Sequence, residues 1–395
     1  GTDYTVTYTD DSGEVKDDFR NVTGTIHVTI SGKGNYTGSV TREYEITKRS
    51  VKLTSETDEK EFDGMPLTRP VVKIEGDGFV DDEVSDVKAI GTVTSVEESP
   101  VANKITYVTH EAFKYDNYNI ELNEGTLTIT PKSIIPDGPH TPDDKKTGIT
   151  VENPADVKYD GKEHAEKPIV KDEKTGATLK EGRDYEIVYP EDIVNAGEIT
   201  ATVNGMGNYD GSFEIKYNIL KRDVTFTSAT DSKKYDGTAL TNGNVEITGD
   251  GFAEGEGATF DVTGTITNTG STENTFTFEL NEGTLASNYN IEANAGTLTI
   301  TPKSIIPDGP HTPDDKKTGI TVENPADVKY DGKEHAQKPI VKDEKTGATL
   351  KEGRDYEIVY PTDIKNAGTV TATVKGIGDY NGSFEIKYNI LKRDV

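Results

Sequence analysis

The sequence predicts an all-β protein built as a tandem array of small sandwich modules. Three observations carry that prediction. Apolar residues alternate with polar ones in short runs, with Tyr185, Ile187 and Tyr189 in DYEIVY, Ile199, Ala201 and Val203 in EITATVNG, and Phe213, Ile215, Tyr217 and Ile219 in GSFEIKYNIL. Period two is the signature of half-buried antiparallel strands. Glycine turns interrupt these runs about every 10 residues, the spacing of sandwich folds. Long segments then repeat in order, which makes the chain a repeat array. Each module is expected to be an Ig-like β-sandwich; a mostly-β, grasp-like module with one short helix is the alternative. The best helical stretch is GFVDDEVSD at 78–86, and its partner GFAEGEGAT is too rich in glycine to hold a helix well.

The modules follow from the repeats. PKSIIPDGPHTPDDKKTGITVENPADVKYDGKEHA recurs letter for letter from Pro131 and from Pro302, and the match continues to FEIKYNILKRDV at 213–224 and 384–395. Among the few differences are Glu166 to Gln337, Val194 to Lys365, Glu198 to Thr369, Asn204 to Lys375, Asn208 to Asp379 and Asp210 to Asn381. This unit is module A. A second type, module B, carries KKYDGTAL, EITGDGF and SNYNIEANAGTLTIT, and a diverged copy carries KEFDGMPL, KIEGDGF and DNYNIELNEGTLTIT.

The order along the chain is then as follows. Residues 1–48 read as a truncated module A, because GTDYTVTY matches GRDYEIVY at 182–189 and the opening third is missing. Residues 49–130 form module B, 131–148 a proline-rich linker, 149–220 module A, 221–301 module B, 302–319 a second proline-rich linker, and 320–395 module A. NILKRDVTFTS joins A to B without a turn residue, which predicts a stiff joint. Pro131, Pro136, Pro139 and Pro142 make the B-to-A connection an extended, semi-rigid spacer. An elongated array with alternating joints is the expectation.

Composition narrows the function. The formal charge of −28, from 71 acidic and 43 basic residues, repels phosphodiester backbones and anionic lipid heads, so no nucleic-acid partner is expected and a bare membrane surface is a poor one. With no cysteine there is neither a disulfide nor a thiolate metal site. No apolar run approaches the length of a membrane span, and no signal peptide is recognisable in this fragment.

The motifs read as scaffold. GKGNYTGS at 32–39 returns as GMGNYDGS at 205–212 and GIGDYNGS at 376–383. Gly205, Gly207 and Gly211 have the spacing G-x-G-x-x-x-G and lead into a strand, so they do not match a phosphate-binding loop. The glycines and Asn208 are expected to supply positive φ angles, and Tyr209 to pin the turn with its hydroxyl on a backbone group. YDG at 159–161, 235–237 and 330–332, and FDG at 62–64, read as hairpin turns. GDGF at 76–79 and 249–252 could supply oxygen ligands, with Asp77, Asp81, Asp82 and Asp250, Glu254 and Glu256 nearby, but a turn is the expected role. The histidines at 27, 110, 140, 164, 311 and 335 have no metal-ligand spacing, and no nucleophile elbow occurs. The sequence assigns no catalytic, cofactor-binding or metal residue, names no ligand-contact residue, and predicts that the chain is not an enzyme.

YDGTALTNGNVEITGDGF followed by NYNIEANAGTLTIT resembles the MBG and YDG-type repeat modules of Gram-positive bacterial cell-surface adhesins, and KEGRDYEIVYPEDIVNAGEITATVNGMGNYDGSFEIKYNI resembles the Ig-like repeats that accompany them. The resemblance implies an extracellular location on the bacterial surface, with cell-wall anchoring through a region outside this chain. It further implies a non-catalytic repeat region, monomeric, that binds a host glycoprotein, mucin or immunoglobulin, multivalently through its β modules. The alternative is a structural stalk that projects a distal adhesive domain. A Lys-to-Asn isopeptide bond beside a buried acid is a further expectation attached to this resemblance.

Overall fold

The computed structural model describes residues 2–17 and 19–394. Its regular structure consists of strands and four single-turn 3₁₀ helices. By internal packing it divides into two units, residues 1–155, 165–193 and 198–217, and residues 156–164, 194–197 and 218–395. Each is an all-β assembly of small sandwich modules.

The last module of the second unit shows the complete A fold. One sheet has the order Val328–Lys329, Ser383–Leu391, Gly368–Gly376, Tyr356–Val359; the other has Ile320–Glu323, Ile340–Asp343, Ala348–Thr349. The long hairpin pairs Gly368 with Ile390 and Lys375 with Ser383. Its alternation points Val370, Ala372, Val374, Ile386, Tyr388 and Ile390 inward, all buried. Ile305, Ile320, Val341 and Leu350 close the core from the opposite sheet. The first unit builds the same core from Ile134, Ile149, Val170, Leu179, Tyr185, Ala201, Val203, Tyr209 and Ile215.

The proline-rich stretches expected as linkers enter these modules instead. Lys132 and Ser133 pair in parallel with Tyr209 and Asp210, and Ile134 is fully buried. Asp137 then accepts the N–H groups of Thr147 and Gly148, folding the rest of the stretch back as a closed loop. Residues 302–319 repeat this arrangement through Lys303, Ile305 and Asp308. Proline tolerates such an edge position because each stub strand needs few ladder bonds.

Residues 2–48 form a three-stranded antiparallel sheet, Tyr4–Thr9, Ile26–Gly32, Ser39–Tyr44. Its apolar face is open. Tyr4 is 47% exposed and Tyr36 63%, whereas their counterparts Tyr185 and Tyr209 are each 4% exposed. The residues that cover Tyr185 and Tyr209 lie at 134–179, and residues 2–48 contain no equivalent segment.

Module B departs from purely antiparallel pairing. Arg222–Ser228 lies between Val245–Gly249, antiparallel, and Tyr289–Asn294, parallel. Its continuation Asp231–Lys234 pairs in parallel with Gly296–Thr301. Two long chain segments thus run side by side and step together from one sheet to the next. A polar hub fixes the step: Ser228 Oγ donates to the Asn274 carbonyl (2.6 Å) and accepts from Gly296 N–H (2.9 Å), while Asn274 Nδ2 donates to the carbonyls of Ala229 and Asn242. Ser55, Asn103 and Gly125 form the same hub in the first B module. Phe226 is fully buried, ringed by Phe252, Phe260 and Phe278.

Candidate binding clefts at the module joints

The turn motifs reach their significance where modules meet. In GMGNYDGS, Gly207 and Gly211 take φ +63° and +81°, and a Cβ on Gly205 would lie 2.8 Å from the Asp210 backbone. Asn208 does not adopt a positive φ, contrary to expectation. Its side chain faces the preceding module instead, where Oδ1 accepts the Val96 N–H at 2.8 Å. Asp379 does the same for Thr269 in the second unit, at 2.7 Å.

Tyr209 is buried, but its hydroxyl donates to a carboxylate rather than to backbone, 3.1 Å from Asp172 Oδ2. The other oxygen of Asp172 meets Lys132 Nζ at 2.6 Å, and both side chains are at most 1% exposed. Burial is the largest influence on Asp172 and pushes its pKa up. The Lys132 hydrogen bond and charge, the Thr175 N–H and the Tyr209 hydroxyl outweigh it, and the carboxyl sits below its ordinary value. Burial first, then the Asp172 charge, holds Tyr209 far above the ordinary tyrosine value. Lys303, Asp343 and Tyr380 repeat the triad, with the same 2.6 and 3.1 Å contacts. Both buried lysines therefore face aspartates, not asparagines.

The aromatic residues of three [YF]DG turns, Phe62, Tyr159 and Tyr235, pack across joints, whereas Tyr330 packs within its own module. Phe62 meets the Tyr209 ring edge-on at 5.7 Å, and Tyr235 meets Tyr380 at 5.6 Å. In the A-to-B joint of the second unit, the Tyr159 and Tyr289 hydroxyls both donate to the Glu256 carboxylate, and Lys158 pairs with Asp250 at 2.7 Å. Burial above all pushes Tyr289 up to about 12. Asn288 Oδ1 accepts the Ala196 N–H and its Nδ2 donates to Asn195. Asn117 makes the matching bonds to Val22 and Asn21 in the first unit.

Sequence reasoning placed these motifs in turns and missed their role in the joints. The available signal was the aromatic residue before Asp-Gly, present once in each B module and each complete A module. GDGF belongs to the joint as well, since Asp250 accepts the Asp223 N–H and the Lys158 ammonium. Among the described residues, no group of three or more His, Asp or Glu is arranged to hold a metal ion, and no helix is long and apolar enough to cross a membrane.

The B-to-A joints enclose clefts. In the first unit, a cleft of about 470 Å³ lies beside Phe62, Thr175, Arg183 and Asn208. In the second, one of about 400 Å³ lies on the other side of the aromatic pair, beside Lys234, Tyr235, Lys316 and Lys345. Both are large enough for one or two sugar rings, and clefts between packed modules are a common setting for ligand sites.

No family model and no curated protein matches the chain. Among solved structures, it is similar to the Protocadherin GammaB4 extracellular domain, at 8% identity over 100% of this chain and 77% of that one, with a TM-score of 0.25. It is similar also to Sidekick-1 immunoglobulin domains 1-5 (10% identity, 99% and 93% covered, TM-score 0.24) and to the human Desmocollin-1 ectodomain (9%, 99% and 93%, TM-score 0.19). TM-scores of this size fall below what a shared fold requires.

Proposed function

We propose that the chain is a non-catalytic repeat region of an extracellular bacterial surface adhesin, and that its modules bind a host glycoprotein, mucin or immunoglobulin. The observation that supports this reading is the B-to-A joint, built twice with an edge-on aromatic pair and a side-chain clip, and bordered by a cleft on one side of the pair in the first unit and on the other side in the second. A joint held by specific bonds keeps its cleft in shape, and repetition converts a weak site into an avid one without new contacts.

The test is binding of the purified chain to immobilised mucin and to pooled immunoglobulins. Saturable binding to either is the expected result; no binding to both would overturn the proposal. A second reading is a structural stalk that projects a distal adhesive domain. A stalk predicts neither interaction.

A further inference from the structure

We infer that the cleft at the second unit's B-to-A joint binds short anionic saccharides, the sulfated or sialylated ends of glycans. The inference rests on the glycoprotein reading and specifies which part of the glycoprotein this cleft holds.

In a chain of net charge −28, this cleft gathers five lysines, Lys234, Lys303, Lys316, Lys317 and Lys345, against two aspartates. Their partners separate them. Lys303 is answered by buried Asp343, and Lys317 by Asp314 at 2.6 Å. Among the described residues, no carboxylate lies within ion-pair distance of Lys234, Lys316 or Lys345. Lys345 Nζ donates to the Lys317 carbonyl at 2.6 Å, which fixes its position, and its charge also acts on Asp308. Asp236 is committed to Lys233 and Thr238, leaving Asp315 as the cleft's one uncommitted carboxylate. Three ammonium groups with no carboxylate within ion-pair distance therefore border a cleft of about 400 Å³, which Tyr235 also lines.

Such a site suits a compact anion attached to a sugar. Ammonium groups make strong charge-assisted bonds to sulfate and carboxylate oxygens. Beyond about 8 Å, physiological salt screens the acidic surface, so a short ligand feels the cleft rather than the whole chain. A long polyanion would lie along the acidic surface and be repelled.

The sequence contains its own control. KKYDG at 233–237 corresponds to KEFDG at 60–64, so Glu61 stands at the first joint where Lys234 stands at the second, while Lys145, Lys146 and Lys174 match Lys316, Lys317 and Lys345. The charge at this position is thus reversed between the two joints.

The experiment titrates the full chain with sulfated lactose, sialylated lactose and plain lactose, and measures mucin binding in parallel. Saturable binding of a charged lactose, with none for plain lactose, is expected, and the two charged probes show which anion is preferred. Lys234→Glu should weaken it on the order of tenfold, the loss of one charged hydrogen bond. Lys234→Arg should retain it. Lys234 is exposed, so these variants fold. Equal binding by the Lys234→Glu variant, or equal binding of plain lactose, overturns the inference. A chain that binds mucin but neither charged lactose also overturns it and leaves the glycoprotein reading standing; a chain that binds charged lactose but not mucin or immunoglobulin does the reverse.

Discussion

Lys132 is the residue whose role departs most from its sequence context. In a proline-rich, polar stretch a lysine reads as a solvated side chain, and nothing local marks its pairing with Asp172, 40 positions later. The hydrogen bonds to Asp172 from Lys132, Tyr209, Lys174 and Thr175 make the buried carboxylate tolerable. Lys132→Met should destabilise its module by about 3 to 5 kcal/mol, the cost of stranding a buried charge. Faster hydrogen exchange across 169–176 would report it. Tyr209→Phe removes one bond to the carboxylate and should cost about 1.5 to 3 kcal/mol. The same triad sets a pH dependence of opposite sign at each end. Asp172 lies below its unfolded value, near 3.9, so its stabilisation is complete above about pH 4 and is lost as pH falls through the lower folded value. Tyr209 lies above its unfolded value, near 10, so its contribution is complete below about pH 10 and is lost as pH rises through the folded value. Denaturation midpoints measured across pH should show a plateau bounded by these two losses, and an unchanged acid limb in Lys132→Met would contradict the assignment.

At the scale of elements, period two was legible because each strand of the long hairpins buries one face. The inward positions at Ile199, Ala201 and Val203 are all buried, as the alternation predicted. Parallel pairing in module B was not legible, since alternation reports which face is buried and not which neighbour a strand takes. What sets it is the crossing glycine. A Cβ on Gly296 would lie 2.3 Å from the Ser228 carbonyl oxygen, so the two long segments can step between sheets together only if this residue has no side chain. Gly296→Ala should destabilise the module by about 1 to 3 kcal/mol, as overpacking does, visible as a lower unfolding temperature. Unchanged stability would show that the segments can part there without cost. The turns were recognised from Asp-Gly, and the recurrence of an aromatic residue before it was the one sequence signal that Phe62, Tyr159 and Tyr235 act between modules.

At the scale of the molecule, the contacts at the joints were not legible from the sequence. They combine residues more than 90 positions apart, such as Val96 with Asn208 and Thr269 with Asp379. Asn208→Ala should remove about 1 kcal/mol from the joint, raising exchange at residues 95–97 while leaving the module cores protected. Fixed joints matter because each presents its cleft in one shape and the chain carries two of them. The most direct measurement is dissociation of the full chain from mucin or immunoglobulin immobilised at rising surface density. Multivalent binding through repeated modules predicts a dissociation rate that falls steadily with density. A rate independent of density, or no binding at any density, would contradict the account.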